Sequence, residues 1–287
     1  MSTTVTRLPV PEPEHRQVPV GSVDVLPMLA AAAWPDRTAL LGDAGPVTFA
    51  ELDHRISRLA AGIRTLIGGD GSVVAVSAQP GVEFAVAYYA VVRSGNVVAP
   101  VHPQLDAAVL DRLLVSVAAR AVVLTGAMHD RARPVLTAAP GLEHVLLLDG
   151  ADIRPGVPVC AELCDRGLLV EPRDRDENEV GAIVFGAGRC GYAKAAGRRH
   201  HELKLDAVRT GAAHGLSDRA VTLNALPSFQ QGHLNAAVWT GATQVFCGSQ
   251  DPGVLAGEIE RHGASHCYRL PGEHPPFPVP DRTVVAS

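Results

Sequence analysis

The sequence predicts an α/β fold built from mostly parallel sheets with helices on both faces. Three observations point there. Short Val-rich runs recur without polar alternation, among them Val73–Ser77, Val97–Val101 and Ala121–Leu124, as strands covered on both faces do. Between them lie helical stretches, so the economical connection is the right-handed β-α-β unit. The chain is also 47% hydrophobic but 4% aromatic, rich in Ala, Val, Leu and Gly, a composition suited to close helix–sheet packing.

The elements follow in order. Residues 1–20 read as a flexible arm rich in Pro, Glu and Thr. Helix is expected over Val23–Ala33, stopped at Trp34-Pro35-Asp36 because proline excludes the preceding residue from helical angles. Thr38–Leu41 and Val47 flank Gly42-Asp43-Ala44-Gly45 as a short hairpin. Thr48-Phe49-Ala50-Glu51 is a capping box, with Val47 and Leu52 at the staple positions. Behind it Leu52, Ile56, Leu59, Ile63 and Leu66 form one apolar stripe, ended by Gly68-Gly69-Asp70-Gly71. Helices are then expected over Gly81–Arg93 and Asp106–Val117, and a further strand over Val145–Leu148.

Residues 21–150 are read as a first α/β subdomain and 151–180, with Pro155, Pro158 and Pro172, as a linker or surface excursion. Residues 181–271 are read as a second, partial subdomain. Its expected strands are Ala182–Phe185, Ala220–Asn224, Thr243–Phe246 and Ser265–Tyr268. Helices near His201–Ala213, Leu234–Trp239 and Val254–His262 separate them. Residues 272–287 form a Pro-rich tail, and Pro271–Pro280 cannot build another regular element. No internal repeat is visible.

Composition narrows the function. A formal net charge of -5 argues against a nucleic-acid binder, and Arg198-Arg199-His200-His201 is too short to supply a basic face. No run reaches the roughly 18 apolar residues of a membrane span. The N-terminus lacks an apolar signal core, and the five cysteines fit free thiols in a reducing cytoplasm. Cys160 and Cys164, and His266 with Cys267, lack the second ligand pair that a metal requires, so no metal is expected.

The segment most suggestive of chemistry is Gly186-Ala187-Gly188-Arg189-Cys190-Gly191-Tyr192-Ala193-Lys194, directly after the apolar run Ala182–Phe185. Glycines there allow a tight turn and expose amides to an anion, and Lys194 can reach a phosphate. The loop contains no Ser or Thr, and its spacing matches neither the nucleoside-triphosphatase loop nor the dinucleotide fingerprint. Phosphate binding and a plain strand-to-turn connection both remain open readings.

The chain resembles the N-terminal part of the adenylate-forming superfamily, which comprises acyl-CoA synthetases, peptide-synthetase adenylation domains and luciferases. The resemblance rests on Trp34–Leu40, Thr48–Leu52, Ala87–Gly95, Val98–Pro103, Asn224–Phe229 and Ile259–Ala264, and covers roughly residues 25–271. It implies the fold of the N-terminal subdomains of AMP-forming acyl synthetases. The family loop reads Thr-Ser-Gly-Thr-Thr-Gly-x-Pro-Lys-Gly; here Gly186, Ala187, Arg189 and Cys190 stand at its hydroxyl positions. Gly188, Gly191 and Lys194 are retained, Ala193 and Ala195 replace the proline and last glycine, and His200 falls on the histidine beyond the loop. Gln230 stands where many members place a histidine close to the acyl pocket. The family continues through adenine-binding, metal-binding and catalytic-lysine segments, none of which follows Pro271.

The resemblance implies a binding or scaffold component that does not adenylate carboxylates alone, set in natural-product biosynthesis. Its ligand-binding candidates are Gly188, Arg189, Gly191, Lys194 and Gln230, and its ligand a phosphate-bearing one such as AMP, coenzyme A or phosphopantetheine. Arginine replacing a hydroxyl residue can still hold phosphate by bidentate contacts. A repurposed enzyme is the second reading, with Cys190 as nucleophile beside Lys194 or Arg189 and His200 or His233 as base. Against it, the stronger reading makes Cys190 an apolar filler, His200 a helix-start or surface residue and Lys194 a solvated loop charge. The third reading is one half of a split ligase. Expected partners are a second copy or a hetero-complex, a carrier protein or a synthetase, with neither nucleic acid nor membrane.

Overall fold

The computed structural model describes residues 18–42, 44–68, 71–148, 154–164, 169–170, 175–187, 193–226, 231–269 and 285–286. The chain opens with α1 (Val25–Ala33), a hairpin of β1 (Thr38–Gly42) and β2 (Gly45–Thr48), and the long α2 (Phe49–Ile67). Then come β3 (Val73–Ser77), α3 (Val82–Arg93), β4 (Val97–Pro100), α4 (Ala107–Ser116), β5 (Ala121–Leu124), α5 (Gly126–Leu136) and β6 (His144–Leu147). After the short α6 (Cys160–Cys164) follow β7 (Val180–Ala187), β8 (Ala193–Arg199), α7 (His200–Ala213) and β9 (Val221–Asn224). The remainder is α8 (Gln231–Thr240), β10 (Thr243–Phe246), α9 (Pro252–His262), β11 (His266–Tyr268) and β12 (Val285–Ala286).

The strands form two six-stranded sheets in the orders β6-β5-β3-β4-β7-β8 and β12-β11-β9-β10-β1-β2. Every pairing is parallel except the last in each, β7 with β8 and β1 with β2. The mostly parallel architecture expected from the apolar strands is therefore present. Membership is interleaved along the chain: β1 pairs with β10, Leu40 opposite Gln244, while β7 pairs with β4, Ala182 opposite Val98. Strand pairing thus crosses residues 151–180 in both directions.

Packing gives five layers. One face of the first sheet meets α4 and α5 through Ala75, Val122, Leu124, Leu110, Met128 and Ala132. Its other face and the inner face of the second sheet enclose α1, α2, α3, α7 and α8, with Val74, Val76, Leu40, Ile56, Tyr89, Leu203 and Leu234 in one continuous core. Leu223, Val245 and Cys267 on the outer face of the second sheet pack on Leu255 and Ile259 of α9.

Local signals account for most boundaries. Thr48 Oγ1 accepts from the Glu51 amide at 3.1 Å, as the cap predicts. The return half of the box is absent, because Glu51 instead takes Arg55 at 3.1 Å one turn along α2. The buried stripe of α2 ends in Ile67 rather than Leu66. Asp251 caps α9 with hydrogen bonds from the amides of Gly253 and Val254, at 2.9 and 3.0 Å. Gly263 closes that helix at φ 59°, a left-handed angle that glycine adopts without strain.

Four elements depart from the sequence reading. Helix α5 was not expected: its buried Met128, Ala132 and Leu136 are spaced helically, but Arg131, Arg133 and Pro134 mask the stripe. Strand β8 follows the glycine loop where no strand was expected; an edge strand can be apolar-poor because one neighbour suffices to pair it. Residues 151–180 contain α6, docked on α2 so closely that a Cβ on Gly62 would lie 2.5 Å from the Leu163 Cβ. Strand β12 pairs with β11, Cys267 opposite Val285, within the stretch read as a tail.

Candidate functional site

In open α/β sheets ligands bind beyond the carboxyl ends of the strands. Here the two sheets present those ends together. The loop after β3 meets the loop after β10, since a Cβ on Gly248 would lie 3.6 Å from Gln79 Oε1. Tyr268, Asn224 and Phe246, the last residues of β11, β9 and β10, stand side by side in register.

Around Tyr268 gathers an aromatic cluster that sequence reasoning did not assemble. The His233 ring, on the first turn of α8, stacks on Tyr268 with centroids 4.0 Å apart and planes 9° from parallel. His214, just past α7, shares a 2.9 Å hydrogen bond between Nδ1 and the Tyr268 hydroxyl. His266 donates from Nε2 to the His214 carbonyl at 2.9 Å. Burial, with His214 nearby, lowers the His233 pKa to about 4, so the imidazole is neutral at pH 7. Burial likewise lowers His214 and raises the Tyr268 hydroxyl. His233 Nδ1 is buried without a hydrogen-bond partner among the described residues. His233 and the fully buried Tyr268 are therefore an uncharged ring pair, with His233 Nδ1 uncommitted. The members of the cluster lie up to 54 residues apart, and no local spacing announces them.

The glycine segment sits between β7 and β8. Gly186 pairs with Lys194 and Ala187 with Ala193, so the two strands run in register up to the turn. Lys194 is exposed and has no ion-pair partner among the described residues. A Cβ at Gly186 would meet nothing within 4 Å, which leaves the backbone open there. An open backbone beside one ammonium suits an anion by charge, while Gly186 and Ala187 bring no hydroxyl to orient it. Gly188, Arg189, Cys190 and Gly191, and Gln230 after β9, lie outside the described residues.

His200 lies elsewhere. It follows β8 immediately, six residues from Lys194, about 20 Å along a strand. Its side chain is fully buried, and Nδ1 accepts from the Val23 amide at 3.3 Å. Burial, then the Arg175 charge, lowers its pKa to about 4. The lone pair that a general base would use is committed to the backbone. Lys204 is also fully buried, its ammonium held by Glu177 at 3.0 Å and by the Pro19 and Gly21 carbonyls. Among the described residues no group of three His, Cys, Asp or Glu side chains is placed to hold a metal, and no helix is long and apolar enough to cross a membrane.

Two sheets meeting at their carboxyl ends, with the glycine segment between two strands of one and a ring cluster on the other, define an α/β protein of two mostly parallel sheets. The AMP-binding enzyme family matches residues 29–272, and the chain belongs to it. It is 30% identical over 262 residues to the salicyl-AMP ligase / salicyl-S-ArCP synthetase of Mycobacterium tuberculosis, covering 84% of this chain and 45% of that protein. It is 25% identical over 221 residues to the beauvericin nonribosomal cyclodepsipeptide synthetase of Gibberella fujikuroi, covering 74% of this chain and 6% of the synthetase. The apo structure of Mycobacterium smegmatis MbtA superposes with a TM-score of 0.80 at 27% identity, over 88% of this chain and 48% of that one. The chain spans about half the length of the ligase it matches.

Proposed function

We propose that this chain holds a planar, aryl-type carboxylate against the His233 ring, which Tyr268 backs, and does not itself complete adenylate transfer to it. The observation that carries the first part is the parallel ring stack at the carboxyl end of the second sheet, in which the part-exposed His233 ring, neutral at pH 7, lies on a fully buried Tyr268. Membership of the AMP-binding enzyme family and similarity to a salicyl-AMP ligase support an acyl ligand of that shape. The second part rests on the turn between β7 and β8, where the four hydroxyl positions of the family loop hold Gly186, Ala187, Arg189 and Cys190. Transfer of adenylate requires phosphate charge to be oriented and neutralised, and the segment keeps Lys194 but no Ser or Thr. A phosphate-bearing ligand such as AMP, coenzyme A or phosphopantetheine fits that remnant by charge. A carrier protein or synthetase is the corresponding partner, in a natural-product setting consistent with the two relatives.

Two measurements test the reading. Titration calorimetry with salicylate and benzoate is expected to give saturable binding that His233→Ala weakens about tenfold, the loss of one aromatic contact in a buried site. Pyrophosphate release from ATP with the same acids is expected to stay at background. Carboxylate-dependent pyrophosphate from the chain alone would overturn the second part. Unchanged binding in His233→Ala would overturn the first.

A further inference from the structure

The N-terminal residues Pro19–Asp24 run against α7 and the end of α3, and three buried polar side chains from distant parts of the chain grip them. Lys204 of α7 holds the carbonyls of Pro19 and Gly21. His200, the first residue of α7, accepts from the Val23 amide. Arg93, at the end of α3, takes the Asp24 carboxylate at 3.2 Å and the Asp24 carbonyl at 2.9 Å. All three side chains are buried, and two belong to the helix that follows β8 directly.

The same grip reaches β7. A Cβ on Gly181 would lie 2.3 Å from His200 Nδ1, so the imidazole rests against the β7 backbone and leaves no room for any larger residue there. The amides of His200 and His201 bond to the carbonyls of Glu179 and Glu177, tying the turn before β7 to the start of α7. Val23, His200 and Gly181 thus meet at the foot of the β7–β8 hairpin, at the opposite end from its glycine turn. We propose that Pro19–Asp24 is a strap that fixes the foot of this hairpin, and that His200 is the pin that acid withdraws.

The chemistry gives the pin its direction. His200 can accept from Val23 only while Nδ1 is unprotonated; a proton there sets two donors face to face. The charged groups about the ring act together. From the turn before β7, Arg175 disfavours a proton and Glu179 favours it; from α7, Lys204 disfavours it. Glu177 is committed to Lys204 at 3.0 Å and to His201 at 3.5 Å, and Asp24 to Arg93. Above pH 6.5 the ring is neutral whether the strap is closed or released. As pH falls below that, the released form takes the proton first and is favoured.

Hydrogen exchange on the whole chain tests this and rests on no ligand, so its outcome is separate from that of the binding experiment. After correction for intrinsic exchange, the amides of Val23, Val25 and Leu26 and those of Ala182 and Arg198 at the hairpin foot are expected to lose protection together, about tenfold or more, between pH 7.5 and 5.0. His200→Asn keeps an acceptor near Nδ1 that cannot be protonated, and is expected to lose less than about threefold. Lys204→Met is expected to loosen both groups of amides at pH 7.5. A strap that loosens while the hairpin foot stays protected would overturn the coupling. Equal pH dependence in wild type and His200→Asn would overturn the pin, and that pair decides the matter even if Lys204→Met fails to fold.

Discussion

The two sheets share a strand order and differ in what they bury. Each runs through five parallel strands to one antiparallel edge strand, and β3, β4, β5, β6, β7 and β8 of the first hold the places of β9, β10, β11, β12, β1 and β2 in the second. The first buries almost nothing polar on its parallel strands, Ser77 excepted. The second buries Thr222, Asn224, Gln244 and His266 on its strands, and Asn235 and Thr240 on adjoining α8. Its outer face is covered by α9, whereas the first sheet rests on both α4 and α5. The apolar sheet is thus the better packed, and the polar one carries the ring cluster. Buried polar groups are tolerated best when paired, yet Asn235 Nδ2 and Gln244 Oε1 have no hydrogen-bond partner among the described residues.

This contrast can be broken from the middle outward. The largest effect is expected where both sheets share support, at Arg93, which is buried between Asp24 and Asp53 at 3.2 and 2.7 Å. Arg93→Ala leaves Asp24 buried without its cation and is expected to cost about 3–5 kcal/mol, read as a fall in the denaturant midpoint. Next come Leu124→Ala in the first sheet and Leu223→Ala in the second, both fully buried. Each is expected to cost about 2–5 kcal/mol, with Leu124 the costlier because its face is enclosed by two helices. Equal costs would remove the packing difference between the sheets.

Acid is the next probe. His200 and His233 both have folded pKa values near 4, below the ordinary imidazole value. Their contribution to stability is complete above about pH 6.5 and is lost as pH falls toward about 4. For fully buried His200 the loss is on the order of 2 kcal/mol, and urea titrations of His200→Asn should show a correspondingly flatter pH dependence. The smallest effect is expected from Tyr268→Phe, which removes the hydrogen bond to His214 and keeps the stack, at about 1 kcal/mol in thermal unfolding.

How much of this the sequence discloses depends on whether a feature is local. Val73–Ser77 and Ala121–Leu124 are legible because a strand covered on both faces must be apolar throughout, and Thr48 because a cap acts within one turn. The likeness of the two sheets is not legible as a repeat, since it lies in backbone order and not in residue type. Strand β8, Ala-Lys-Ala-Ala-Gly-Arg-Arg, carries no apolar pattern because one neighbour completes it. The sequence offers His200 and His233 as candidates without their surroundings: His200 meets Val23 across 177 residues, and His214, which the sequence does not single out, meets Tyr268 across 54. The first contact makes His200 part of the scaffold, and the second ties His214 to the ring on which His233 stacks.

The pairing of β1 with β10 has a consequence for how the chain is made. Leu40 leaves the ribosome some two hundred residues before its partner Gln244. At about 5–20 residues per second, the β1–β2 hairpin waits roughly ten to forty seconds for the strand that completes it. During that time it is an apolar two-stranded ribbon, marginally stable alone, with one side open to pairing with another nascent chain. The first sheet's core strands β3, β4, β5 and β6 emerge in an unbroken stretch and can assemble meanwhile. The second sheet closes last, around an end of the chain that was synthesised first.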